Sequence, residues 1–233
     1  MREGINMIGG LRKLVSKLMK PAAPTSGVDA FLDHASGVIH IGANTGQERK
    51  VYAAKGLNVA WVEPIPDVFA ELEANLQGMS RQRAYRYLLT DRDGDRITLN
   101  IANNGGASSS IFDLKDHRKI WPEVHYTGSL EMTSTTFRSF AEAESLDLGA
   151  YDALVLDTQG AELLVLQGAG QLLEQFRFIK TEAADFESYA GCCKLDDLTD
   201  YVARFGFRKA MQVPFAGDAQ KGQYYEVLYE RDA

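Results

Sequence analysis

Cysteine is nearly absent: the chain has two in 233 residues, and those two, Cys192 and Cys193, are adjacent. Neighbouring cysteines close a disulfide only with strain, and two thiols alone do not cage a zinc ion. Two reduced thiols in a cytoplasmic protein are the expectation. Long hydrophobic runs are missing too, none approaching the roughly 18 residues that span a bilayer. Positive charge is not in excess: the formal net charge is −7, which argues against a general affinity for nucleic acid. Internal repeats and low-complexity tracts are also lacking. What remains, 45% apolar and 24% charged residues, is the composition of a soluble globular chain long enough for one well-cored domain with small appendages.

The first residues depart from that average. Residues 1–20 carry five basic side chains (Arg2, Arg12, Lys13, Lys17, Lys20) and one acid, Glu3, leaving −11 on the remainder. Leu11, Leu14, Val15, Leu18 and Met19 fall on one helical face. The spacing predicts a basic amphipathic helix able to touch an anionic membrane or a partner. Lysines interrupt the apolar stretch, so it does not read as a secretory signal. "PAAPTSG" (21–27) reads as a linker, which divides the chain into residues 1–27 and a domain over 28–233.

Beyond it, strand-like and helix-like segments alternate. Strands are expected at 38–42, 58–63, 84–89, 96–101, 129–134, 151–157, 176–182 and 222–230. Helices are expected at 46–55, 67–76, 136–145, 161–175 and 195–204. The hexapeptide "TDRDGD" reads as a turn. The polar stretch 102–128 has no clear periodicity, and loops of that length inside a domain are usually functional or disordered. Alternation of this kind argues for a mostly parallel sheet covered on both faces, an α/β sandwich of three layers.

The segment "GVIHIGANTGQERKVYAAKGLNVAWVEP" (37–64) carries the chemistry. A glycine turn between a first strand and a first helix lets polar ligand groups approach backbone amides. Gly42 and Gly46 bracket that turn, and Asn44 tolerates an unusual backbone conformation. Glu63 ends the second strand twenty-one residues after Gly42, where an acid can accept both hydroxyl protons of a ribose. A dinucleotide fingerprint needs a third glycine, and a phosphate-binding loop needs Gly-Lys-Ser/Thr where this chain has Gln47-Glu48. Glu48 near the helix start would also repel a pyrophosphate. An amino-acid-bearing nucleoside without phosphate, S-adenosylmethionine, suits the loop better.

Four blocks, "VIHIGANTGQ", "WVEPIPDVFAELEANL", "DALVLDTQGAELLVLQGA" and "FIKTE", together resemble the FkbM-type family of S-adenosylmethionine-dependent methyltransferases. The third is similar to that family's D-x-x-G-A-E signature, and "TDRDGDRITL" and "SSSIF" also stand at familiar positions. The resemblance spans about residues 37–230. It implies a class I, Rossmann-like fold with a seven-stranded, mostly parallel sheet. It also implies that Gly42, Ala43, Asn44 and Gly46 wrap the methionyl half of the cofactor, that Glu63 holds the ribose, and that Thr90 and Asp91 flank the adenine. Asp157 would stand beside the transferred methyl. His40 occupies a position where many relatives carry Asp.

Methyl transfer to a hydroxyl needs alignment and a proton acceptor within hydrogen-bond reach. Asp157, ending the apolar strand "ALVLD", is the first candidate base; capping of the following helix is its structural alternative. His117 and His125, in the long loop, are the second choice. Ser109, Ser110, Trp121 and Glu182 are the candidate acceptor contacts. Asp157 and Glu182 could approach a divalent cation, but two carboxylates fall short of the six or so oxygens a hard cation takes, and no metal is assigned. Glu162, in the first turn of its helix, reads as complementing the helix dipole. The expected activity is O-methylation of a small-molecule or carbohydrate-like acceptor, a class taken from the resemblance. The alternatives are a nitrogen- or macromolecule-directed methyltransferase, which the sequence D-T-Q-G at the fourth strand disfavours, an NAD-binding oxidoreductase, and a non-catalytic nucleotide-binding module.

Overall fold

The computed structural model describes residues 25–218, 220 and 222–232; the basic amphipathic segment expected at 1–20 lies outside the described residues. Strands and helices alternate in chain order: β1 (Gly37–Ile41), α1 (Arg49–Ala54), β2 (Asn58–Val62), α2 (Pro66–Asn75), β3 (Gln82–Tyr85), β4 (Leu88–Thr90), β5 (Arg96–Ala102), β6 (Tyr126–Thr136), α3 (Phe137–Ala143), β7 (Ala153–Leu156), α4 (Glu162–Ala169), β8 (Phe178–Ala184), α5 (Leu195–Ala203), β9 (Arg208–Asp218) and β10 (Gly222–Glu230). The main sheet has the order β3-β2-β1-β7-β8-β10-β9. Its first five strands are mutually parallel. β10 runs antiparallel to both its neighbours, so β9 shares the common direction. The sheet is thus seven-stranded and mostly parallel, as the alternation of elements predicts.

Burial on both faces explains the apolar strands. All of β1 and all of β7 are buried, because helices cover the sheet on either side, as parallel sheets require. One core packs α3, α4 and α5 against Ile39, Leu154, Ile179 and Val227. The other packs Phe31, Leu32 and Tyr52 against Val38, Trp61, Val155 and Leu228. β1 lies between β2 and β7, so the strand order reverses there, and the crevice beyond the carboxyl ends of β1 and β7 is where such sheets bind ligands.

Several elements differ from expectation. The segment 84–89 is not one strand: it divides at Arg86-Tyr87 into β3, the sheet edge, and β4, which joins a second sheet of order β4-β6-β5. Within that sheet β5 and β6 are antiparallel over Arg96–Ala102, and β4 pairs in parallel with Ser134–Thr136. The helix expected at 161–175 stops at Ala169, since Gly170 has a φ of 54° and the chain continues as a 3-10 turn. β9 was not anticipated: it is an exposed edge strand containing Pro214 and Gly217, which dilute the strand pattern. The long stretch 103–125 is anchored loop, bridged at Asn100–Ser110 and Leu114–Tyr189.

Candidate active site

The carboxyl ends of β1, β2 and β7 converge on one cleft with a cavity volume of about 210 Å³. Gly42 turns the chain out of β1 with a φ of 81°, and a Cβ there would sit 1.8 Å from the Asp157 carbonyl oxygen. The glycine is therefore demanded by the approach of β1 to β7, not by space for a ligand. Gly42 and Ala43 both donate to the Val62 carbonyl at 3.0 Å, which fixes the loop over the end of β2. Asn44 follows at φ 46°. Gly46 does not line this cleft; a Cβ on it would press on Leu72 of α2 at 2.7 Å, so it is a packing position.

Glu63 is 4% exposed and faces the same cleft. Its Oε2 accepts the Asn44 N–H and its Oε1 the Ile65 N–H, both at 2.9 Å. Burial pushes its pKa up to about 7 against the opposing pull of those two N–H groups. The apolar part of the lining is built by Ile65, Leu88, Leu89, Leu99 and Ile111. Thr90 and Asp91, expected beside the adenine, are not in this lining. The split of 84–89 shifts the register, so Leu88 and Leu89 reach the cleft while Thr90 is buried with its hydroxyl donating to the Arg92 carbonyl at 3.1 Å. Asp91 faces the Arg92 side chain at 3.5 Å.

Asp157 leaves β7 at the floor of the cleft. Its Oδ1 accepts Nε2 of Gln159 at 2.5 Å, and it does not cap α4, whose first turn is instead held by Glu162. The buried Glu162 carboxylate accepts the N–H groups of Thr158 at 2.8 Å and Gly160 at 3.0 Å. Burial, and then the neighbouring Glu182, hold Asp157 well above the usual carboxylate range. Burial, and then Glu162 and Glu226, push Glu182 up to about 7. Gln159, which no local sequence pattern marks, joins Asp157 to Tyr189 and Ser110. At φ 53° it donates to Asp157, accepts the Tyr189 hydroxyl at 2.6 Å through its side chain, and accepts Ser110 Oγ at 2.7 Å through its carbonyl.

A second cavity, of about 370 Å³, meets the first at Ala107, Asp157 and Gln159. Glu182, His117, Trp121, Phe215 and Tyr224 line it. His117 is buried between Trp121, Tyr189 and Tyr224, with Nδ1 2.9 Å from the Tyr224 hydroxyl and Nε2 without a hydrogen-bond partner. Burial depresses its pKa to about 4. His125 is a correction: it is exposed, its Nδ1 lies 3.0 Å from the Glu123 carbonyl, and it lines neither cavity, because it sits at the mouth of the β5–β6 hairpin. Ser110 is a second one. It is 1% exposed, and its hydroxyl is engaged by Gln159 and by the Phe112 N–H. Ser109 does line the first cleft, accepting the Ala102 N–H at 3.0 Å. His40 is buried, stacked on Trp61 at 4.9 Å, and burial holds its pKa down to about 3. Among the described residues, no three His, Cys, Asp or Glu side chains are grouped to hold a metal ion.

Residues 40–209 match the methyltransferase FkbM domain family. A curated protein named 2-O-methyltransferase NoeI, from Sinorhizobium fredii (strain NBRC 101917 / NGR234), is 27% identical over 176 residues, covering 72% of this chain and 71% of that protein. Among solved structures, the METTL16 MTase domain superposes with a TM-score of 0.49 at 11% identity, covering all of this chain and 71% of the other. Magnesium protoporphyrin IX methyltransferase (ChlM) from Synechocystis PCC 6803 with bound SAM gives 0.43 at 12% identity, covering all of this chain and 87% of that one.

Proposed function

The chain belongs to the FkbM methyltransferase family and is an S-adenosylmethionine-dependent methyltransferase, and on that premise we propose that it methylates a hydroxyl of a small or carbohydrate-like acceptor, with Asp157 as the base. The observation that carries this reading is that Asp157 lines both the cleft beside Glu63 and the second cavity. A group so placed can face a methyl donor on one side and a nucleophile on the other. The name of the relative, a 2-O-methyltransferase, favours oxygen over nitrogen as the methylated atom.

The first cleft fits the cofactor. Each Glu63 carboxylate oxygen accepts one backbone N–H and keeps a lone-pair direction free for a ribose hydroxyl proton. Leu88, Leu89 and Ile65 offer an adenine a dry surface, and the Gly42–Asn44 backbone borders the end nearer Asp157. When bound, S-adenosylmethionine supplies an electrophilic methyl on a cationic sulfur. The protein's part is to align the acceptor hydroxyl in line with that methyl and to take up its proton. Burial beside Glu182 makes Asp157 a stronger base than a solvated aspartate. Gln159 holds its Oδ1 and so leaves Oδ2 to face the hydroxyl.

We assign the catalytic domain to residues 28–233 and give residues 1–27 a peripheral role in membrane or partner contact, resting on their charge and periodicity. Free Cys192 and Cys193 suit a reducing, cytoplasmic setting. The test is calorimetric titration with S-adenosylhomocysteine, followed by incubation with labelled S-adenosylmethionine and a panel of hydroxylated acceptors. Binding and transfer of label to an acid-stable ether are expected. Absence of binding to folded protein would overturn the reading.

A further inference from the structure

The second cavity has a one-sided electrostatic character. Asp157, Glu182 and Glu123 line it, together with the rings of Trp121, Phe215 and Tyr224, and no lysine or arginine does. The acids continue across the sheet. Glu182 pairs directly with Glu226 between β8 and β10, and Asp157 follows Leu156, which pairs with Thr181, so Asp157 lies level with Glu182. Three carboxyl groups thus stand side by side on strands roughly 4.8 Å apart, an arrangement that like charges disfavour. The neighbouring cation, Lys180, reaches Glu226 at 3.0 Å and Asp29 at 2.7 Å. Among the described residues neither Asp157 nor Glu182 has an ion-pair partner. A separate observation concerns a ligand directly: His117, lining the same cavity and 3% exposed, has an unpartnered Nε2. Its ring stays neutral near pH 7 and brings no charge to offset the acids.

We propose that this cavity is an acceptor subsite for an amino alcohol: a hydroxyl compound, such as an amino sugar, whose protonated amine sits between Glu182 and the aromatic wall. The inference rests on the methyltransferase reading above and narrows its acceptor class. Lys180 serves Glu226 and Asp29, so an ammonium would supply the direct counter-charge that Asp157 and Glu182 lack, and the faces of Trp121 and Tyr224 attract cations. Phosphorylated, sulfated or carboxylated acceptors meet three acids and no base, and are rejected. The protonated amine has no free lone pair, so methyl transfer is directed to the neighbouring hydroxyl: the new bond is carbon to oxygen, the carbon–sulfur bond breaks, and the hydroxyl proton goes to Asp157.

Three probes of one ring and different charge test this: methyl glucosaminide, methyl glucoside and methyl glucuronide, each titrated into full-length protein saturated with S-adenosylhomocysteine. The expected order is glucosaminide at least tenfold tighter than glucoside, with glucuronide weakest. In the Glu182→Gln variant the glucosaminide advantage should shrink at least fivefold while the affinity for S-adenosylhomocysteine stays unchanged. Equal affinities, a reversed order, failure of the glucosaminide to bind, or an advantage insensitive to Glu182→Gln would each overturn the proposal. Failure of S-adenosylhomocysteine itself to bind would instead sink the methyltransferase reading.

Discussion

In the proposed reaction Glu63 and Asp157 have separate tasks at the scale of single residues. Glu63 lies in a buried turn that supplies one backbone donor to each oxygen. Glu63→Gln keeps the shape but replaces one acceptor oxygen by an amide donor, and the expected loss in S-adenosylhomocysteine affinity is about 10- to 100-fold, or ~1.5–3 kcal/mol for hydrogen bonds to a charged group. Because its pKa stands near 7 in the free protein and ribose hydroxyls favour the ionised form, wild-type affinity should rise between pH 6 and 8. The variant's contribution to that slope should vanish, and calorimetry across that range decides the point. Asp157→Asn should leave cofactor affinity within about threefold and lower turnover at least 100-fold; turnover like the wild type would remove Asp157 from the mechanism. The place of Glu63 in the cleft was legible because an acid ending the strand after a glycine turn stands at the carboxyl edge of the sheet, where such sheets form their crevice. Gln159 was not. Its role needs a left-handed backbone and partners that come from 49 residues upstream and 30 downstream, and no local pattern encodes either. For the same reason Ser110 reads as a ligand contact in sequence and proves to be a lock on the Gln159 loop.

At the scale of elements, the junction of β1 with β7 sets where the acid stands. Gly42 brings the two strand ends so close that any side chain overlaps the Asp157 carbonyl, and its positive φ adds strain for an L residue. Gly42→Ala should therefore cost about 3 kcal/mol or more, read as a fall in the urea midpoint, whereas Gly78→Ala, with open space around its Cβ and a similar φ, should cost about 1 kcal/mol. Equal costs would mean that the close approach is not rigid. The central strands were readable because burial on both faces leaves continuous apolar runs such as "ALVL" and "GVIHI". The margins were not. β9 alternates Met211, Val213 and Phe215, but it is an exposed edge whose stability comes from β10 rather than from its own residues. The break between β3 and β4 falls inside an unbroken strand-like run, because Tyr85 and Leu88 are both buried yet in different sheets.

At the scale of the whole molecule, the site imposes a cost on the empty protein that its ligands should relieve. In the folded chain Glu63 and Glu182 hold their protons up to about pH 7, against an ordinary value of 4.5. Groups raised in this way favour folding at low pH, and that contribution is lost as pH rises through 7. Asp157 and Glu162 are raised too and act in the same sense. His40 and His117 act oppositely. Unfolded imidazoles take up protons near 6.5, while these two resist until about 3 and 4, so their contribution is lost as pH falls below 6.5. Between pH 4.5 and 6.5 the two trends offset each other in part; above 6.5 the imidazole slope fades as the unfolded histidines lose their remaining protons, and the carboxyl slope prevails. The ligand-free protein should accordingly lose about 1 kcal/mol of unfolding free energy between pH 6.5 and 8, measured by urea titration at each pH. Glu63→Gln/Glu182→Gln should flatten that decline. Saturating S-adenosylhomocysteine should flatten it as well, because a ribose-bound Glu63 is already ionised in the native state, and this adds to the stabilisation any native-state ligand confers. A wild-type curve level across that interval would mean that the two carboxyls are ordinary, and the electrostatic account of the site would fall with them.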